Sequence, residues 1–334
     1  MTTRLGVALI GAGSMGSVHA ANLASGRIAG ARLVAVADAV ESAARACAAA
    51  HRIDSAYADP EQALSDAAVD AVVIATPAAT HGDLICAAAT AGKHIFTEKP
   101  LDISLERIDA ALAVVVSSGV KLQIGFHRRF DASFLHARNS VAAGRVGEPY
   151  VMHIISRDPV WRVPPKIGGL SGLLFDTTIH DFDMARFVLG EVESLYAVGT
   201  PAVHKAGVPD TLVVNLKFQN GALGTIENGQ AVFGYDQRLE VFGSLASVTV
   251  DNQQRDTTSV IDDSGSHRPL PPTFYPERYA AAYVAELQAF VDCIRDGGEP
   301  RAAGADGRAA TLIGLAAQRS LDEGRPVAMS EPFA

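Results

Sequence analysis

Between Asp176 and Asp183 the chain reads D-T-T-I-H-D-F-D, which places a carboxylate and an imidazole at a spacing suited to proton transfer. The apolar residues Ile179, Phe182 and Met184 give the stretch a helical period. Asp176 and His180 then stand one turn apart on one face. The carboxylate can fix the imidazole tautomer and stabilise the imidazolium. The other ring nitrogen is left to take a proton from a hydroxyl as a general base. A base completes no reaction alone, so another group must receive what leaves with the proton.

The first third of the chain supplies a candidate. Leu5 to Ile10 is a short apolar run that ends in G-A-G-S-M-G, with Gly11, Gly13 and Gly16, and continues as a helical pattern through Val18, Ala21 and Leu23. Strand, tight turn and helix in this order bring backbone N–H groups and the positive helix end to a pyrophosphate. Ser14 and Met15 lie within the same turn. A Gly-rich turn also serves simple strand-to-helix packing, so the next strand carries weight. Leu33 to Ala37 ends at Asp38, about 20 residues beyond the turn, where an acidic side chain accepts from an adenosine ribose. The alternative reading makes Asp38 the N-cap of a helix over Glu41 to Ala50. Ala39 and Val40 follow it and offer no cation for a 2′-phosphate, so the expected cofactor is NAD.

Further apolar runs at Ala71 to Ala75, His94 to Thr97 and Lys121 to Gly125 alternate with helical patterns at Thr80 to Ala91 and Ser104 to Ser118. That alternation predicts a parallel sheet with ligands beyond its carboxyl ends. Thr76, Pro77, His81, Glu98, Lys99 and Pro100 fall there. The Lys99 ammonium, beside Glu98, could stabilise an oxygen that gains negative charge, though the group also reads as a surface turn with a salt bridge. The bond to Pro100 is a candidate cis bond.

After Gly125 the period changes to that of strands, broken by helices near Ala132 to Ala143 and Ile179 to Leu189. Runs are expected at Tyr150 to Arg157, Val192 to Gly199, Thr211 to Phe218, Leu223 to Asn228, Gln237 to Phe242 and Ser247 to Asp251, with turns at Asn220-Gly221 and Gly243-Ser244. A polar loop over Asp262 to Pro272 and helices over Tyr279 to Arg295 and Gly307 to Leu321 follow. The expected fold is an α/β Rossmann dinucleotide-binding domain over residues 1–125, then an α+β domain over 126–334 with a large, mainly antiparallel open sheet. One face of that sheet lacks a cover within the chain, which predicts a homo-oligomer.

Composition narrows the partners. Among 334 residues, 28 basic against 37 acidic give a net charge of -9, which argues against a phosphate-binding surface for nucleic acid or an anionic membrane. Cys47, Cys86 and Cys293 are too scattered for a disulfide framework or a metal site, which fits a reducing compartment. No apolar run approaches the roughly 18 residues of a spanning helix, and the first ten residues lack a signal-peptide core. A cytoplasmic protein with a small-molecule ligand and no metal is expected.

Several separated pieces agree with one family: GAGSMGSVH, Asp38, ATPAATH, TEKP, FHRRFD, DTTIHDFDMARFVLG, GYDQRLEVFGS and ERYAAAYVAELQAF. Together they resemble the glucose-fructose oxidoreductase, inositol dehydrogenase and MocA family, and the later pieces are most similar to bacterial inositol 2-dehydrogenases. The resemblance implies Lys99, Asp176 and His180 as catalytic residues. It implies Gly11, Gly13, Gly16, Asp38, Thr76 and Glu98 as cofactor positions, and a homotetramer. Arg128, Asp183 and Tyr235 fall near its substrate-lining positions. The implied activity is NAD-dependent oxidation of a ring hydroxyl in a cyclic polyol, myo-inositol first. A sugar dehydrogenase and an NAD-dependent glycosidase are the alternatives, with a non-catalytic cofactor-fold protein as a third. His127 departs from the family's usual Asn, and Trp161 to Ser171 departs from its usual segment. In that segment Pro164-Pro165 and Gly168-Gly169 suit a hinged lid, with Trp161 over a ring substrate or else packed in the structure.

Overall fold

The computed structural model describes residues 4–159, 172–202, 209–231 and 234–333. The chain divides into two compact units, residues 1–130 with 281–311, and residues 131–280 with 312–333. The first break falls at 130/131, and residues 281–311 return to the first unit, where a linear division at 125/126 assigns them to the second.

The first unit begins with β1 (Leu5–Ile10), α1 (Ser14–Ala24), β2 (Ala31–Ala37), α2 (Glu41–His51), β3 (Ser55–Tyr57), α3 (Pro60–Ser65) and β4 (Ala71–Ile74). It continues with α4 (His81–Thr90), β5 (His94–Thr97), α5 (Leu105–Ser118) and β6 (Leu122–Ile124). All six strands are parallel, in the order β3-β2-β1-β4-β5-β6. The order reverses between β1 and β4, and such a reversal opens a crevice at the strand ends. Strands buried on both faces need continuous apolar runs, and β4 reads Ala-Val-Val-Ile with every residue buried. β3, a three-residue edge strand, is too short to show a period.

The second unit contains α6 (Ala132–Ala142), β7 (Pro149–Pro159), α7 (Ile179–Leu189), β8 (Val192–Thr200), β9 (Thr211–Phe218), β10 (Leu223–Ala231), β11 (Asp236–Gly243) and β12 (Ser247–Val250). A ribbon, β13 (Val260–Asp262) with β14 (Gly265–His267), occupies part of the expected polar loop, and its residues are all exposed. The short helix α8 (Tyr275–Arg278) leads to α9 (Ala280–Asp296), then α10 (Gly304–Glu323) and β15 (Val327–Ala328). Seven strands form one sheet in the order β12-β11-β7-β10-β9-β8-β15. Every pair is antiparallel except β7 with β10.

Alternation splits this sheet into two faces. Met152, Ile154, Leu212, Val214, Ile226, Leu239 and Val241 are buried on one, where α7 packs on β7. The other face presents half-buried Val151, Ile155, Tyr196 and Val213 beside exposed Val198, Leu223 and Phe242.

α9 joins the first unit through its apolar stripe. Leu287, Phe290 and Val291 share one core cluster with Val7, Leu9, Leu33, Val36, Val73 and Phe96. Gln123 of β6 donates to the carbonyl of Glu286 at 2.7 Å, which anchors the helix against the last strand. Among the described residues no helix is long and apolar enough to cross a membrane.

Candidate functional site

The glycine turn is shaped by contacts that exclude side chains. Gly11 follows β1 with φ +97°, and a Cβ there would lie 2.7 Å from the Ala75 carbonyl carbon, so both conformation and space require glycine. A Cβ on Gly16 would lie 1.9 Å from the Gly11 carbonyl oxygen. Gly13, the N-cap of α1, has nothing within 4 Å of its would-be Cβ and no side-chain cap. The first turn of α1 therefore presents N–H groups to an open space. Asp38, at the end of β2, accepts from the N–H of Ala12 at 2.7 Å and of Val40 at 2.8 Å. α2 is capped at Val40 with no side-chain hydrogen bond, so Asp38 is not its N-cap. A carboxylate has about four acceptor positions, which leaves capacity for a ribose.

These two glycines separate packing from binding. Gly16→Ala should lower the melting temperature, since overpacking costs about 1–3 kcal/mol. Gly13→Ala should leave the melting temperature unchanged and raise the Kd for NAD about tenfold, because it fills space rather than displacing backbone. Unchanged NAD affinity in Gly13→Ala, measured by titration, would remove Gly13 from the cofactor positions.

Two further strand ends meet at His81. Its Nδ1 lies 2.7 Å from the Pro100 carbonyl and its Nε2 2.9 Å from the Thr76 carbonyl. The ring is buried and ties the segment after β4 to the segment after β5. Thr76 also exchanges a hydrogen bond with Thr80 (Oγ1 to Oγ1, 2.8 Å), and exposed Pro77 accepts from the Thr80 hydroxyl. Lys99 is half-buried and joined to Pro100 by a cis peptide bond. Buried Glu98 precedes it, bonded to His19 of α1 at 2.7 Å.

In the second unit, the stretch with Asp176 and His180 is helical but not uniformly α. Leu173–Thr178 forms a π turn that runs directly into α7. The adjacent threonines account for it: both Thr177 and Thr178 hydroxyls donate to the Leu173 carbonyl, at 2.9 and 2.8 Å. Side-chain donors at that carbonyl widen the turn. Asp176 is exposed within that turn and His180 is buried in the first turn of α7.

The helix is locked in place by a residue that sequence reasoning missed. Asp181 is fully buried, accepting from the Ser156 hydroxyl at 2.6 Å and the Asn228 amide at 2.7 Å. Oδ1 of the same amide lies 3.1 Å from the Thr177 hydroxyl, whose one proton it shares with the Leu173 carbonyl. The signal was present: Ser156 and Asn228 are polar residues on the inward, otherwise apolar face of β7 and β10. Asp181→Ala leaves two buried donors without their charged acceptor and should destabilise the chain by roughly 3 kcal/mol or more. The midpoint of urea unfolding measures this, and turnover should fall with it.

Two models describe the same architecture in other proteins. Residues 5–126 match the model described as an oxidoreductase family with an NAD-binding Rossmann fold, and residues 134–249 match the GFO/IDH/MocA C-terminal domain. This chain belongs to the GFO/IDH/MocA family. It is 43% identical to an inositol 2-dehydrogenase of Rhizobium meliloti over 99% of this chain and 100% of that protein. Identity to a myo-inositol 2-dehydrogenase of Thermotoga maritima is 41%, over 98% of this chain and 99% of that one. A crystal structure of scyllo-inositol dehydrogenase from Lactobacillus casei, with bound NAD(H) and scyllo-inositol, superposes with a TM-score of 0.91 at 27% identity. The match covers 98% of this chain and 100% of that one.

The residues present fit the family's cofactor: a turn closed to side chains at Gly11 and Gly16, open at Gly13, and edged by Asp38, which the uncharged Ala39 and Val40 follow. Of the residues expected to line a GFO/IDH/MocA substrate pocket, Arg128 is buried in the turn after β6, within the first unit. Asp183 is buried on α7, and Tyr235 stands edge-on to the rings of Phe274 and Tyr279, all three in the second unit. His127, the departure from the family's Asn, lies 4.9 Å from the Tyr283 ring. Trp161 and its proposed lid lie outside the described residues.

Proposed function

We propose that this protein is an NAD-dependent dehydrogenase that oxidises a ring hydroxyl of an inositol to the ketone, with myo-inositol as the first substrate. The observation that carries this reading is a carboxylate and an imidazole one turn apart on a locked helical stretch, in a chain 41–43% identical to inositol dehydrogenases. In it, Asp176 orients His180, and His180 accepts the hydroxyl proton. The Lys99 ammonium stabilises the alkoxide as it develops. NAD, when bound, supplies the hydride acceptor. Gly11, Gly13, Ser14, Met15 and Gly16 receive its pyrophosphate, and Asp38 its adenosine ribose. Thr76, Pro77, His81 and Glu98 shape the remaining cofactor edge. Arg128, Trp161, Asp183 and Tyr235 choose the polyol.

The apolar residues on the uncovered face of the second sheet support a homo-oligomer, by family resemblance a tetramer. Three free cysteines fit a reducing cytoplasm. Absorbance at the NADH wavelength with a panel of inositols and sugars tests the function. Net NADH with inositols supports it, and NADH with pyranoses alone overturns the substrate. Turnover without net NADH would indicate a glycosidase that recycles its cofactor.

A further inference from the structure

The first unit buries a cluster of which the chemistry above uses Glu98 alone. His19 of α1, Glu98 beyond β5 and Glu286 of α9 each bring one nitrogen or oxygen within 4.8 Å of the other two. His19 and Glu286 are 0% exposed and Glu98 8%. His19 stands edge-on to Phe96 and Tyr283, at 5.2 and 6.2 Å between ring centres. Among the described residues, neither carboxyl oxygen of Glu286, nor Nδ1 of His19, has a hydrogen-bond partner. The groups set against Glu286 are His19 and Glu98; one ring further out come Tyr283 of α9 and His127 beside it.

Two chemistries compete for such a cluster. A tetrahedral zinc ion with bonds of about 2.0–2.1 Å keeps its ligand atoms about 3.3 Å apart. His19 Nε2 and Glu98 Oε1 are 2.7 Å apart, too close for two ligands of one ion and right for a charge-assisted hydrogen bond. The alternative is a proton. Two carboxylates this close in apolar surroundings cannot both ionise. Glu98 has His19 as its hydrogen-bond partner and Glu286 has no donor among the described residues, so the proton falls to Glu286. Burial, and next the Glu98 charge, push the Glu286 carboxyl well above the usual range. Glu98 is also confined from the side, since a Cβ on Gly125 would lie 3.0 Å from its Oε2.

We propose that Glu286 is a positioning residue: a neutral acid carried by α9, it packs without charge against the hydrogen-bonded His19–Glu98 pair and so fixes how Glu98 and the following Lys99 leave β5. The inference rests on the role given to Lys99 under the proposed function. Its test uses the full chain with Glu286→Gln, which keeps the neutral shape, and Glu286→Leu, which keeps only the volume.

The first measurement is the melting temperature across pH 5 to 9, which needs no substrate. A carboxyl whose folded value is raised contributes its stability fully below the unfolded value, about pH 4.3, and loses it as pH climbs towards the folded value. Glutamine carries no such dependence. Glu286→Gln should melt about 2–4 °C or more above wild type at pH 8, with the margin shrinking towards pH 5. A Gln variant less stable than wild type at pH 8 would mean an ionised Glu286 and would overturn the proposal. So would a stoichiometric metal ion in the purified chain that both variants lose.

The second measurement is turnover. Glu286→Leu should lower kcat about tenfold with the KM for NAD within about twofold, and Gln should restore it. Equal kcat in the two variants would show that Glu286 positions nothing. Should Leu fail to fold, the melting curves of Gln decide. Should wild type oxidise no polyol, the proposed function fails while those curves still report the charge of Glu286.

Discussion

Replacing His180 by alanine is expected to lower the turnover number with inositol by about 10²- to 10⁴-fold, the range of a lost general base. The Kd for NAD should stay within about twofold. Alanine favours helix, and α7 is held by Asp181 through Ser156 and Asn228, so the substitution should leave the helix in place. The loss therefore belongs to the imidazole. An imidazole accepts a proton only when neutral, so oxidation by the unaltered chain should rise with pH along its acidic limb. Single-turnover NADH formation with NAD titration separates the two effects. A flat pH profile, with chemistry shown to limit the rate, would rule out His180 as the proton acceptor.

What could be read from sequence follows from what each feature depends on. β5 and β9 match the expected limits, His94–Thr97 and Thr211–Phe218, because apolar runs bounded by turn residues depend only on local pattern. β3 and β15 pair at sheet edges over three and two residues, and such short segments carry no period. The π turn before His180 depends on two threonine hydroxyls reaching one carbonyl, which a helical wheel does not register. α9 shows the sharper limit. Its stripe of Ala282, Tyr283, Leu287, Phe290 and Val291 predicts a buried helix but not which core receives it. Glu286 stands within that stripe, so a buried acid was legible there. Its partners His19 and Glu98 come from distant segments, and only the fold brings them together. At the cofactor end the reverse holds, since strand, glycine turn, helix and a second strand ending in an acid constrain one another within forty residues.

Asp38→Ala is expected to raise the KM for NAD by about 10- to 100-fold, since hydrogen bonds to a charged acceptor contribute roughly 1.5–3 kcal/mol each. Two effects contribute, and they differ in how they treat the cofactors. The carboxylate holds the glycine turn to the end of β2 through the N–H groups of Ala12 and Val40, so its loss should loosen the turn for any dinucleotide. It should also remove the ribose contact that only NAD can make, together with the repulsion that a 2′-phosphate meets. The first effect lowers the melting temperature and weakens NAD and NADP alike. The second changes their ratio. Ala39 and Val40 supply no cation, so NADP should remain a poor substrate in absolute rate even as the preference for NAD narrows by about tenfold or more. Steady-state kinetics with both cofactors, alongside thermal melting, distinguish the two. A lowered melting temperature with the NAD-to-NADP ratio unchanged would confine Asp38 to the turn, and the choice of NAD would have to arise from residues beyond the end of β2.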